Sequence, residues 1–417
     1  MKRWCKTLKT KQTKDNFLFQ IFMESCSYYE SRIFLFQKLS RTLNMPETST
    51  YDLIILGGGL AGLCCAIALG QHYKVLLLEK DLFPQHKVCG EYVSNEVLPY
   101  LQSLGIDPIQ LGAKKITELE ITTHTGKPIR TKLPLGGFGI SRYALDAELY
   151  NRATQCCDVH IETVMTVDFN SEIFTVQTKN KKIYKSTFAV GAFGKRSTID
   201  IAMKRGFIQQ KSPWLAVKAH YSYSFEDTKV ALHNFEGGYC GLSKVETGAV
   251  NACYLTTFKS FKQANSIDEF QKQVMSVNPH LAHFFKHAEP LFPEPLTISQ
   301  ISFSKKPAVE NHVFMIGDSA GLIHPLCGNG MAMAIHSAKL LADLFLEHGA
   351  GVNARNSIEQ AYRDTWQHHF GSRLKTGRRI QNVLLNPSLA KTAFTAAKTF
   401  PGLVPAIIKK THGDLVV

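Results

Sequence analysis

No C-x-x-C pair occurs among the ten cysteines; two pairs stand adjacent instead, Cys64–Cys65 and Cys156–Cys157. Neither a zinc nor an iron–sulfur framework is therefore written into the chain, and free thiols in a reducing cytoplasm fit the pattern. Long apolar runs are also missing, since none approaches the roughly 18–20 residues that span a bilayer. The N-terminal apolar patches, Phe17 to Met23 and Ile33 to Phe36, are broken up by Glu24, Glu30 and Arg32, so the continuous core of a signal peptide is lacking. Acidic side chains are few, 34 against 48 Lys and Arg, for a formal net charge of +14. Residues 1–44 hold nine basic and three acidic side chains, and the remaining +8 is spread along the chain without a basic run. That distribution argues against a nucleic-acid partner and suits anionic cofactors or a membrane surface.

What is present begins with size. A chain of 417 residues, 44% hydrophobic and 20% charged, can bury a large core and is expected to form two joined lobes. Tyr51 to Glu79 reads YDLIILGGGLAGLCCAIALGQHYKVLLLE, the order of a dinucleotide-binding βαβ unit. An apolar strand, Leu53 to Leu56, runs into Gly57, Gly59 and Gly62 at the spacing G-x-G-x-x-G. Gly57 permits the tight turn, Gly59 lets a pyrophosphate approach the backbone, and Gly62 lets helix and strand pack closely. The helix N-terminus offers free N–H groups to the phosphates. Glu79, at the end of the second strand, is placed to accept ribose hydroxyls.

Residues 1–50 show no clear period and are expected to be a disordered or spurious extension, with Met45 as the natural start; a basic membrane-surface arm is the competing view. After Glu79 comes LFPQHKVCGEYVS, residues 82–94. Lys87 is expected to reach the phosphates as a point charge. Cys89-Gly90 brings a thiol and bare backbone to whatever ring the pocket holds, against a buried structural thiol as the alternative. A hairpin is expected over 116–135, and Arg142 lies just inside a helix capped by Ser141. A meander is expected over 157–190, followed by AVGAFGKRS. Trp214 to Thr257 alternates as an antiparallel sheet, in which Tyr239 and Cys240 read as core more readily than as substrate contacts. His283 and His287 stand at i, i+4 on a helix with no convincing third ligand, so no metal site is expected.

The second decisive stretch is VFMIGDSAGLIHPLCGNGMAMAIHSAKLLADLF, residues 313–345. A strand ends at Gly317-Asp318, a loop carries Pro325, and Gly328-Asn329-Gly330 opens a helix. Asp318 is placed to accept hydroxyls, and the helix N-terminus to stabilise negative charge on a bound ring. His324 is a candidate proton donor, against a histidine bonded to nearby backbone. The C-terminal 68 residues read as helical and basic, either a lid on the pocket, a membrane contact, or a solvated face.

These stretches resemble the motifs of the geranylgeranyl reductase family, within the para-hydroxybenzoate-hydroxylase-like FAD enzymes. Pro84, Lys87, Cys89 and Gly90 match its P-x-x-K-x-C-G segment, and Arg142, Asp146 and Leu149 its helix, whose arginine lies against the flavin chain. Gly191, Gly194 and Ser197 match a second glycine motif, though Phe193 stands where an aspartate is usual. The resemblance implies an α/β fold: a Rossmann-like FAD-binding domain (51–115, 136–200 and 297–349), an interleaved antiparallel substrate lobe (116–135 and 201–296), and a helical C-terminus (350–417). It implies an FAD enzyme, with NAD(P)H as a transient donor, acting on a lipophilic prenyl, polyene or polyketide-like substrate. Double-bond reduction leads. Monooxygenation and a flavoprotein that relays electrons between proteins are the alternatives.

Overall fold

The computed structural model describes residues 50–417; the expected N-terminal extension lies outside them. Strand β1 (Thr50–Leu56), helix α1 (Leu60–Leu69) and β2 (Val75–Glu79) form the expected βαβ unit. Leu53 to Leu56 and Val75 to Leu78 are buried on both faces, as a continuous apolar run requires in a parallel sheet. Next come β3 (Tyr92–Ser94), β4 (Lys114–Thr122), β5 (Pro128–Gly139) and α2 (Arg142–Ala153), which Ser141 caps by accepting from Ala144 N. Strands β6 (Asp158–Ile161), β7 (Val164–Asn170), β8 (Ile173–Thr178) and β9 (Ile183–Gly191) lead to β10 (Trp214–Ser222), β11 (Lys229–Phe235), β12 (Gly238–Lys244) and β13 (Val250–Thr257). After α3 (Pro279–His287) follow β14 (Glu289–Pro290), β15 (Leu296–Ser299), β16 (Val309–Glu310) and β17 (Val313–Met315). Helices α4 (Gly330–His348), α5 (Arg355–Leu385), α6 (Pro387–Thr399) and α7 (Leu403–Thr411) complete the chain.

The first sheet runs β16-β17-β9-β1-β2-β6, with β7 and β8 continuing from β9. Strands β17, β9, β1, β2 and β6 are parallel, so β17, from the far end of the chain, lies one strand from β1, across β9. Helix α1 carries no charged residue and is buried nearly all round, packed against α4 and α2. Its sequence has no polar face because it has no solvent face.

The second sheet runs β14-β10-β13-β12-β11-β4-β5-β3, with β15 also paired to β10. All its pairings are antiparallel except β11 with β4. The turn after β4 closes on Gly126, at φ +80°, whose N–H bonds Thr123 O, and the turn after β12 closes on Gly248, at φ +82°. Both are positions where an L side chain is strained.

Two expectations need correction. The meander over 157–190 is only β7-β8-β9. At Glu162-Thr163 the chain leaves β2, where Glu162 N bonds Glu79 O, and turns to pair with β8, where Lys179 N bonds Thr163 O. Strands β3 and β15, from segments assigned to the nucleotide domain, extend the second sheet. No helix among the described residues is long and apolar enough to cross a membrane.

Candidate active site

At the carboxyl end of β1 the three glycines do different things. Gly57 sits at φ +110°, and a Cβ there would come within 2.5 Å of Ala192 O. A Cβ on Gly62 would run into Gly57 O. Around Gly59 the space is open, so its bareness serves something outside the fold. The Glu79 carboxylate is fixed by three backbone donors, Gly58 N at 2.6 Å, Lys80 N at 3.0 Å and Asp81 N at 3.1 Å, and it also faces the cavity.

The other end of the chain closes the groove. Asp318 lies in the single turn Gly317–Ser319 after β17, and its carboxylate, on the cavity wall, makes no hydrogen bond among the described residues. Its carbonyl accepts from Lys306 Nζ at 2.8 Å. Pro325, Gly328 and Gly330 line the cavity where α4 begins. The Asn329 side chain does not: it is buried and donates to Glu96 Oε2 at 3.1 Å, holding the start of α4 in place.

Between these ends stands the Lys87 to Glu91 loop. Lys87, expected at the phosphates, lines the cavity, and its Nζ is 2.9 Å from Asp146 Oδ2. Asp146 also takes two bonds from Arg142, at 2.7 and 2.8 Å. Burial opposes the charge on Asp146, yet Arg142 and Lys87 outweigh it and hold the carboxyl below its usual range. The Arg142 guanidinium also lies against the Cys89 thiol. Cys89 O and Gly90 O accept from Asn251 Nδ2 and Ser243 Oγ of the second sheet, which leaves the half-buried thiol on the cavity wall.

One cavity of about 1230 Å³ joins all of this, larger than the roughly 300–1,000 Å³ of a usual small-molecule site. Its second half is apolar. Ile121, Leu133 and Leu232 of the second sheet face Val383, Phe394 and Val404 of the C-terminal helices across it. The lid reading of the C-terminus is the one its position supports. Tyr239 is buried and also borders the cavity.

Residues 50–369 match the family model described as FAD binding domain. The chain belongs to that family. It is an FAD-dependent oxidoreductase, and the open space over Gly59 and the unbonded Asp318 carboxylate fit that cofactor. The digeranylgeranylglycerophospholipid reductase of Methanococcus aeolicus is 21% identical over 398 residues, 85% of this chain and 97% of the reductase. Among solved structures, the flavin-dependent brominase Bmp2 aligns at TM-score 0.72 and 18% identity, over 87% of this chain and 93% of the brominase. A geranylgeranyl bacteriochlorophyll reductase-like protein of Thermoplasma acidophilum aligns at TM-score 0.66 and 18% identity, over 89% and 94%. A brominase and a reductase-like protein share this fold, so the fold does not select the reaction.

Around the FAD site, His324 departs from expectation. It is buried outside the cavity wall, among Trp214, Phe303 and Tyr239, with ring centroids 5.7, 4.9 and 6.2 Å away. Its Nδ1 accepts from Leu326 N at 3.4 Å. Burial pushes its pKa down to about 4, so near neutral pH the ring has no extra proton to give. The alternative of a histidine bonded to nearby backbone describes it.

Glu91 is a residue that sequence reasoning passed over. It follows Cys89-Gly90, is fully buried, and sits at φ +53°, which glutamate rarely adopts. Its carboxylate accepts from Arg142 N at 2.8 Å, Lys218 Nζ at 2.6 Å and His220 Nε2 at 2.6 Å. Burial alone would raise its pKa, but His220 and Lys218 lower it and keep it ionised. The signal lay in β10, where Lys218 and His220 at i, i+2 share one face of an otherwise apolar strand.

Proposed function

We propose that the protein reduces a carbon–carbon double bond in a lipophilic, prenyl- or polyene-like substrate. The observation that supports this is the continuity of the cavity, from the glycine loop past Cys89 into an apolar chamber under α5, α6 and α7. An apolar chain in that chamber would be stabilised by about 25 cal/mol for each Å² removed from water. FAD, when bound, supplies the hydride. The chain's own groups would then have distinct tasks: Asp318 and Glu79 would hold the cofactor's hydroxyls, the α4 N-terminus would favour negative charge on it, and Arg142 would orient Cys89. The thiol delivers the proton that completes the saturated bond, and the C-terminal helices exclude water. NAD(P)H is the donor in this reading. Exposed Leu389, Phe400 and Ile407 beside exposed Lys391, Lys398, Lys409 and Lys410 suit a cytoplasmic protein that draws its substrate from a membrane surface.

The test is anaerobic photoreduction of the flavin-loaded protein, followed by rapid mixing with polyprenyl lipids or with oxygenated buffer. Fast reoxidation by the alkene and slow reoxidation by oxygen is the expected result. A transient absorbance belonging to neither oxidised nor reduced flavin, formed with oxygen and quenched by the lipid, would replace this reading with monooxygenation.

A further inference from the structure

On β4 and β11 alternate residues face opposite ways. Leu119, Ile121, Val230 and Leu232 line the main cavity, while Glu120, Thr122 and His233 point to the far side of the sheet. There a separate cavity of about 600 Å³ is lined by Glu120, His233, His280 and His283. The register sets Ala231 beside Glu120 and His233 beside Thr122, and α3 lays His280 over them. Asn278, fully buried, caps α3 and ties it to the same spot by donating to Thr122 Oγ1 at 2.9 Å, Thr123 O at 3.1 Å and Asn234 O at 3.0 Å.

One ligand atom each from Glu120, His233 and His280 lies within 4.8 Å of the others. Both rings are held by their other nitrogen. His233 Nδ1 is 3.0 Å from Thr122 Oγ1, and His280 Nε2 is 3.0 Å from Gly126 O. Gly126 O can only accept, so His280 Nε2 carries the ring proton and Nδ1 has a free lone pair; the Thr122 contact fixes the orientation of His233, as outer bonds do for metal-binding histidines. Arg130 Nε occupies Glu120 Oε2 at 2.6 Å, leaving Oε1. We infer that Glu120, His233 and His280 bind a divalent transition-metal ion of the zinc class, with an open coordination position toward this second cavity.

Two cations face the site. Lys229 is paired with Glu226 at 2.8 Å, and the Arg130 side chain is 70% exposed, where water screens it. The other such cluster among the described residues, His86, Glu91 and His220, lacks this arrangement: His220 Nε2 is already engaged with Glu91, and Lys218 supplies the countercharge. The metal site is independent of the proposed reaction.

The experiment titrates Co²⁺, then Zn²⁺, into chelator-treated, flavin-loaded full-length protein and reads the visible d–d difference bands. One tight equivalent, displaced by Zn²⁺, is expected. His280→Ala and Glu120→Gln should each weaken it at least tenfold at unchanged flavin content, while His287→Ala, outside the cavity, should leave it intact. Native protein without d–d bands, or bands equally strong in a His233→Ala/His280→Ala double variant, would overturn the assignment.

Discussion

The nucleotide end of the main cavity and its apolar end are built in opposite ways. At the first, a few consecutive residues do everything. Gly57, Gly59 and Gly62 occupy one turn, and each is required by a contact or an opening that no side chain could share. At the second, the wall is assembled from β4, β5, β11 and three C-terminal helices, and no single residue is demanded. Steric necessity leaves a motif in the sequence. Apolar enclosure leaves only an alternation that many cores also show.

The glycines break the comparison most sharply. Gly62→Val drives a side chain into the Gly57 carbonyl and should destabilise the protein by about 3 kcal/mol or more. Gly59→Val meets only open space, so its melting should stay within about 1 kcal/mol of the native protein while bound flavin falls at least about tenfold. Thermal melts alongside flavin absorbance separate the two. A Gly59→Val protein as yellow as the native one would remove the phosphate role from this turn.

Asp318→Ala comes next. Its carboxylate has no hydrogen bond within the described residues, so the fold loses nothing obvious. The cofactor loses a charged acceptor of about 1.5–3 kcal/mol, a tenfold to hundredfold drop in flavin affinity. At the other end, Phe394→Ala should weaken a lipophilic ligand by about 1–2 kcal/mol and leave flavin content unchanged. If Phe394→Ala costs flavin instead, the two ends are not separable.

How much of this was readable in advance follows the same division. The βαβ unit and the Gly317-Asp318 turn were legible, because each lies within a short stretch whose spacing has one physical solution. The destination of Lys87 was not. A lysine near a phosphate loop reads as a phosphate ligand until the fold sets Asp146, 59 positions later, at 2.9 Å. Glu91 was hidden for a similar reason, since its partners Lys218 and His220 lie more than 120 residues away. The Glu120, His233 and His280 cluster is likewise spread over two strands and a helix, and a search by sequence spacing found only His283 and His287.

The smallest functional effect should come from His324, and it isolates placement from chemistry. His324→Phe keeps an aromatic ring among Trp214, Phe303 and Tyr239 and removes the titrating group. If burial governs this residue, turnover at pH 7 should change less than about threefold, whereas Cys89→Ala, at the cavity wall, should lose on the order of a hundredfold. Stability then supplies the second readout. Between pH 6.5 and about 4 the unfolded chain binds a proton on this imidazole that the folded chain refuses. Unfolding is therefore favoured as pH falls through that window. Removing the group should flatten the decline by up to about 3 kcal/mol across it, measured as the difference in urea midpoints between native and variant at pH 6.5 and pH 4. A parallel decline in both proteins, together with a large loss of turnover in His324→Phe, would return this histidine to the reacting end of the cavity.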